Sequence, residues 1–383
     1  MGKRGQNEGS IYRRKDGRWA GAVSLGYIGG KLARKAVYGS TRKEVKERMT
    51  RLLNDRQSGL PVVAERQTLG DFLERWLSDV VKPSVRPRTH VSYEQLVRLH
   101  LKPALGRLPL AKLTPQDVQR FMNDKLESGL SARTVQYLRA VLRRALSQAL
   151  RWNLVARNVA TLVDAPKTKR NAVRVMSPDE VTLFLDAAKG QRFEPLLIVA
   201  ISTGLRQGEL LGLRWEDVDL PASVIHVRHS VQRLDSKLTL TDLKTDRSRR
   251  TLRLPQIAAK ALQTQRARQS EERLAAGGGW NDFGFVFATS IGTPLDARNL
   301  TRHFARVLTR AGLPRLRFHS LRHSCASLLL SQHVPARAVM ELLGHSEIRL
   351  TMDTYSHVMP QLMTEAANAM DDALGGGVSR QQL

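Results

Sequence analysis

Only one cysteine, Cys325, occurs in the 383 residues. It cannot form an internal disulfide or a cysteine metal cluster, so zinc fingers are excluded and a reducing compartment is expected. No apolar run approaches the roughly 20 residues that cross a bilayer. The opening MGKRGQNEGS lacks the apolar region of a signal peptide, so a cytoplasmic location with no membrane partner is expected. No Walker A loop, GxSxG elbow or HExxH helix is present, and neither a cofactor nor a metal is expected. Acidic residues are scarce as well. Against 62 Lys and Arg stand 35 Asp and Glu, a net charge of +27, for which an enzyme of small molecules has no use. Apolar residues at 42% and charged residues at 25% are ordinary globular proportions. The surplus is therefore expected on folded surfaces, where it attracts nucleic acid or anionic lipid. Without a spanning segment, nucleic acid is the expected partner.

The length suits two or three domains. Residues 3–56 hold fifteen Lys or Arg and five Asp or Glu, over a third of the net charge. Runs Ser10–Tyr12, Trp19–Tyr27 and Leu32–Tyr38, parted by turn signals at Lys15-Asp16-Gly17 and Gly29-Gly30, predict three strands, and a charged pattern from Thr41 to Asn54 predicts a helix. Such a basic sheet suits a DNA groove, as β-ribbon readers do; the plainer alternative is a solvated charged face. Ser58-Gly59-Leu60-Pro61 is a linker signal. Helical periodicity then runs from Thr68 to Pro166, with a helix start at Thr114-Pro115-Gln116-Asp117. After Ser131, an apolar stripe of Val135, Leu138, Leu142, Ala145, Leu146 and Ala149 carries Arg139 and Arg143 on its flank. With Lys82, Arg86, Arg88, Arg98 and Lys102, these arginines suit phosphate contacts that do not depend on sequence. A second basic linker, Lys167–Arg174, precedes a capping box at Ser177-Pro178-Asp179-Glu180. Helical patterns at 178–189, 193–203 and 207–213 lead to β-favouring runs Val224–Val231, Leu238–Leu243 and Thr251–Leu254, after which helical patterns resume. The expected architecture is α+β and mainly α, with small antiparallel sheets, in three domains at 1–58, 68–166 and 172–383.

In the third domain, residues able to do chemistry are scattered along the chain. In Thr203-Gly204-Leu205-Arg206-Gln207-Gly208-Glu209, Glu209 lies one turn beyond Arg206 and can orient its guanidinium. In Phe318-His319-Ser320-Leu321-Arg322-His323, His319 and Arg322 are three apart and share a helix face, two donors aimed at one point. Gly344-His345 adds an imidazole, and Tyr355 follows ten residues on. Each has a plainer reading. Arg206 and Glu209 would pair for structure alone, and His319 with His323 would offer zinc two ligands but no convincing third. His323 suits helix packing, His345 a helix cap, Tyr355 a packed aromatic and Cys325 a small core filler.

Taken in order, TGLRQGELLGLRWEDVD, DLKTDRSRRTLRLP, FHSLRHSCASLLL and LLGHSEIRLTMDTYSHV resemble the tyrosine recombinases, specifically phage and integrative-element integrases of lambda type. The resemblance covers about residues 172–374. The helical segment is similar to that family's core-binding domain, and GSIYRRKDGRWAGAV to the opening of its arm-binding domain, with three strands and one helix. The resemblance implies that Arg206, Lys244, His319, Arg322, His345 and Tyr355 are catalytic, with Glu209 supporting Arg206. Lys237 is the rival to Lys244, and Arg247, Arg249 and Arg250 are further cations close by. From the basic sheet and the basic helix flank, DNA contacts are expected of Arg13, Arg14, Lys15, Arg18, Lys31, Arg34, Lys35, Arg86, Arg88, Arg139 and Arg143. The implied reaction is cleavage and rejoining of double-stranded DNA at core and arm attachment sites through a 3′-phosphotyrosyl link, integrating and excising a phage or mobile element. The implied setting is a bacterial host cell, with a homotetramer on DNA, a DNA-bending host factor and a small directionality factor.

The residue types suit that chemistry. A phosphodiester under in-line attack gains charge on its non-bridging oxygens, which guanidinium forks match in pairs. A phenol of pKa about 10 needs a base, for which His319 is the candidate, while the leaving 5′ oxygen needs an acid such as Lys244. The covalent product conserves the broken bond's energy, so no ATP is required. Two other readings remain: a non-catalytic DNA-binding regulator of the same fold, and a nicking-closing enzyme like a type IB topoisomerase. The joint presence of the six residues argues against the first and the N-terminal basic module against the second. A helical stripe of Leu362, Ala366, Ala369, Met370 and Ala373 in the closing segment Gln361–Leu374 suits docking on a neighbouring protomer or packing on its own domain.

Overall fold

The capping box read at Ser177-Pro178-Asp179-Glu180 does open a helix, Pro178–Ala188. In the computed structural model, which describes residues 10–28, 31–57, 67–168, 174–234, 237–243, 248–344, 367–368 and 370–372, the chain divides into two compact units, Met1–Lys169 and Arg170–Leu383.

The first unit begins with an antiparallel sheet of β1 (Ser10–Arg13), β2 (Trp19–Ile28) and β3 (Lys31–Gly39), in that order. Gly17, at φ +81°, turns β1 into β2. The helix Arg42–Gln57 covers one face, where Val23, Val45 and Met49 make a small core. On the opposite face the register lines up Tyr12, Ala20 and Tyr38; both tyrosines are exposed, and the Arg14 guanidinium lies 5.3 Å from the Tyr38 ring centre.

The rest of this unit is helical around its own apolar cluster. Thr114 Oγ1 accepts from the Asp117 N–H at 3.2 Å, and the Asp117 carboxylate accepts in return from the Thr114 N–H at 3.0 Å. Ser131 caps the helix Ala132–Arg151, whose anticipated stripe is buried in full together with Val141. Simple periodicity does not anticipate two π-type turns, Trp76–Val81 and Val97–Leu101. Each ends at a Lys-Pro pair, Lys82-Pro83 or Lys102-Pro103, and there the Lys N–H reaches back five residues, to Leu77 or Val97. A proline inside a helix supplies no N–H and crowds the carbonyl four residues before it. Widening the turn relieves that crowding.

The second unit is built round the helix Glu194–Thr203, buried on nearly every side. The helices Pro178–Ala188, Gln256–Ala276, Ala297–Arg310 and Ser320–Ser331 also surround its core, where Phe304 meets Phe184 and Phe318 edge to face. The small sheet expected here is two sheets. β4 (Val218–Asp219), β5 (Val224–Val227) and β8 (Arg250–Arg253) form one, and the hairpin β6 (His229–Leu234) with β7 (Lys237–Asp242) forms the other. The run Val224–Val231 is therefore broken at Arg228, whose Nη1 donates to the buried Asp217 at 2.9 Å. Among the described residues no helix is long and apolar enough to cross a membrane. Most of the closing stripe lies outside the described residues; Met370, which does not, is exposed.

Candidate active site

Two left-handed glycines shape the site. The helix Glu194–Thr203 ends at Gly204, φ +62°, and the helix Ala336–Leu343 ends at Gly344, φ +65°, the conformation that glycine adopts without steric cost at a helix end. Gly204 is also crowded: a Cβ there would come within 2.5 Å of Leu343 Cδ2 and 3.3 Å of Cys325 Sγ. These contacts bring the turn that carries Arg206 against the end of the helix Ala336–Leu343.

Arg206 is extended and caps the short helix Gln207–Leu211. Its backbone N–H donates to Glu209 Oε2 at 3.1 Å, and its Nη1 donates to Glu209 Oε1 at 2.6 Å. Glu209 is 3% exposed, whereas the Arg206 side chain is 38% exposed. A second guanidinium shares the same carboxylate: Arg250 Nη2 donates to Oε2 at 3.0 Å. Burial on its own would raise the Glu209 pKa; Arg250 and then Arg206 outweigh it and hold the carboxyl below its ordinary value.

His319 sits at the start of the helix Ser320–Ser331 and reaches solvent, while Arg322, one turn on, is 2% exposed. The two therefore do not aim their donors alike. Arg322 turns inward, donating through Nη1 to Gly204 O at 2.8 Å and through Nη2 to Leu343 O at 2.7 Å. Together the arginines hold three consecutive carbonyls at the end of the helix Ala336–Leu343: Arg250 on Leu342, Arg322 on Leu343 and Arg206 on Gly344, at 2.8, 2.7 and 2.8 Å. The last carbonyls of a helix have no partner within it and lie at the negative end of its dipole, so cations suit them.

Desolvation, then Arg322 and Arg206, push the His319 pKa below its ordinary value, with Glu209 opposing. The His323 ring meets that of His319 edge to face, 4.8 Å between centres. Desolvation, then His319 and Arg322, push it down to about 4. Both imidazoles are thus neutral near pH 7. Burial pushes the Cys325 thiol up to about 12, so it is packed and unreactive. Among the described residues no three His, Cys, Asp or Glu side chains gather as a metal site.

The structure thus brings Arg206, Glu209, His319 and Arg322 together. Lys244, His345 and Tyr355 lie outside the described residues. Lys237 opens β7 and is exposed. Arg250 joins Arg206, Glu209, His319 and Arg322 as well, although in the sequence it stands only as a cation close to Lys244. The available signal was its alternation with the buried Leu252 and Leu254.

Of the residues expected to touch DNA, Arg13, Arg14, Lys15, Arg18 and Arg34 are exposed and Lys35 is half-buried, while the Lys31 side chain lies outside the described set. Asp16 pairs with Arg18 at 3.1 Å and lies 3.5 Å from Arg14. Arg86, Arg88 and Arg143 are exposed. Arg139 is half-buried, and among the described residues its Nε has no hydrogen-bond partner.

Residues 174–361 match the Phage integrase family, and residues 68–126 match the Phage integrase, N-terminal SAM-like domain. The Tyrosine recombinase XerC-like protein of Caldanaerobacter subterraneus subsp. tengcongensis is 35% identical over 90% of this chain and 93% of its own. Among solved structures, the Tn1549 transposon integrase in complex with transposon right end DNA is similar at a TM-score of 0.69 and 22% identity, over 80% of this chain and 99% of that one. A lambda integrase tetramer bound to a Holliday junction is similar at 0.59 and 18%, over 92% and 96%.

Proposed function

The chain belongs to the phage integrase family of tyrosine recombinases, and on that premise we propose that it is a site-specific integrase that cuts and rejoins DNA through Tyr355. The observation that carries this reading is Arg206, a partly exposed guanidinium held by a carboxylate almost out of water, beside a neutral His319.

His319 takes the phenolic proton of Tyr355, and the phenolate oxygen attacks the scissile phosphorus in line. The bond from phosphorus to the 5′ oxygen breaks, and Lys244 returns a proton to that oxygen. The products are a 3′-phosphotyrosyl strand and a free 5′ hydroxyl. Arg206 and Arg322 balance the charge that gathers on the non-bridging oxygens, and His345 hydrogen-bonds the phosphate. Attack by the 5′ hydroxyl of another strand reverses every step without ATP. His319 suits its part because it is neutral before the reaction and gains its proton beside Glu209, whose charge favours the imidazolium.

Residues 172–383 form the catalytic domain in this reading, 68–166 a core-binding domain and 1–58 an arm-binding domain. Arg13, Arg14, Lys15, Arg18, Lys31, Arg34 and Lys35 contact arm DNA, and Arg86, Arg88, Arg139 and Arg143 contact core DNA. The lambda relative's tetramer on a Holliday junction supports a homotetramer as the strand-exchanging form, assisted by a DNA-bending host factor and a directionality factor. A nicked suicide substrate, which loses its short 5′ fragment on cleavage, tests the reading. The wild type is expected to leave a protein–DNA adduct on a denaturing gel, and Tyr355→Phe to bind the same DNA equally well and leave none. An adduct with the phenylalanine variant, or none with the wild type, overturns it.

A further inference from the structure

Arg250 is the first residue of β8, paired in register with Val227 of β5, and its side chain is 8% exposed. All three of its nitrogens donate: Nε to Leu342 O at 2.8 Å, Nη1 to Ser248 O at 3.2 Å and Nη2 to Glu209 Oε2 at 3.0 Å. Each nitrogen of this guanidinium is thus engaged by a protein acceptor. It joins two parts of the site that are far apart in the chain, the carboxylate that anchors Arg206 and the last turn of the helix Ala336–Leu343.

We propose that Arg250 is a positioning residue for strand cleavage, fixing Arg206 through Glu209 and, through Leu342 O, the helix end from which the chain runs on toward His345 and Tyr355. This rests on the reading of Arg206 as a phosphate-binding group. Among the described residues Oε1 of Glu209 accepts from Arg206, while Oε2 is divided between the Arg206 backbone N–H and Arg250. Removal of Arg250 leaves a buried carboxylate with one guanidinium. Burial then favours its neutral form, and protonation weakens its hold on Arg206. Among the described residues, the charged groups facing Glu209 are Arg206 from the preceding turn, Arg250 from β8 and, when protonated, His319 from the start of the helix Ser320–Ser331. Of these, Arg250 contributes most to keeping Glu209 ionised. A lysine at 250 reaches the carboxylate or the helix end but lacks the fork that spans both.

The test is single-turnover cleavage of the nicked suicide substrate from acid to alkaline pH by the full-length wild type, R250K, R250Q, E209Q and E209Q/R250Q. Binding of the same DNA and thermal unfolding are followed for each. R250Q is expected to cleave about 10- to 100-fold more slowly, the scale of loss when an outer residue orients a reacting one, with DNA affinity unchanged. Its acid limb should move to higher pH, so that the deficit shrinks as the solution becomes alkaline, and R250K should fall between R250Q and wild type. In the E209Q background the 250 substitution should cost less than it does alone. Cleavage by R250Q at the wild-type rate overturns the proposal. So does a deficit equal at every pH and matched by lost thermal stability in both R250Q and R250K, or losses that multiply independently of Glu209. A wild type that forms no adduct overturns the underlying assignment of Arg206 as well; a wild type that cleaves while R250Q cleaves equally well overturns this inference alone.

Discussion

At Glu209 a carboxylate is held between two guanidiniums almost out of water, and its pKa lies below the ordinary 4.5. A depressed carboxylate contributes stability that is present above its unfolded pKa and lost as pH falls through the lower folded value. His323 acts over a higher window. Its ring takes up a proton near 6.5 when unfolded but only at about 4 when folded, so the unfolded chain binds more protons between those limits and stability falls as pH drops from about 6.5 to about 4. His323→Asn should therefore flatten the pH dependence of the unfolding midpoint over that range. An unchanged slope would show that the folded ring is not held neutral. Arg206→Lys keeps the charge and loses the fork, and should slow adduct formation about 10²- to 10³-fold, the loss seen when one preorganised donor to a developing oxyanion is removed. The pairing of Arg206 with Glu209 is legible from their spacing of three and the preceding Gly204. The inward turn of Arg322 is not, because a shared helix face says nothing of which residue meets solvent when His319 stands at the helix start.

Among the elements, the end of the helix Ala336–Leu343 is the joint on which the site depends. Three arginines from three separate places in the chain hold its last carbonyls, and Gly204 gives it room to approach. Gly204→Ala would combine an unfavourable φ with a collision against Leu343. It should lower unfolding free energy in urea by at least about 1–3 kcal/mol and slow cleavage. A neutral result would mean that the turn and helix end are not tightly packed. Capping residues are readable at this scale because their bonds are local: Ser177 with Glu180, Thr114 with Asp117 and Ser131 with Thr134 all form within one turn. The two π-type turns and the break at Arg228 are harder to read. The first depend on how a helix accommodates Pro83 and Pro103, and the second on a buried Asp217 eleven residues away from its arginine.

For the whole chain, a charge of +27 implies DNA affinity that falls steeply with salt, by a log–log slope of about 0.9 for each phosphate neutralised. Deleting residues 1–60 removes the basic sheet and should make the slope for arm-site DNA shallower. It should spare adduct formation on core DNA and impair recombination that needs arm sites; equal loss of both activities would argue against a separate arm-binding role. The α+β class and the N-terminal three-stranded sheet were legible because periodicity and turn residues are local properties, whereas the three-carbonyl clamp joins residues 21, 92 and 138 positions apart. The proposed nucleophile is a single phenolic oxygen. Protease digestion of the adduct formed on a suicide substrate, followed by mass spectrometry of the DNA-linked peptide, locates the bond. A nucleotide 3′-phosphate esterified to Tyr355 is expected, and attachment at any other residue would overturn the assignment.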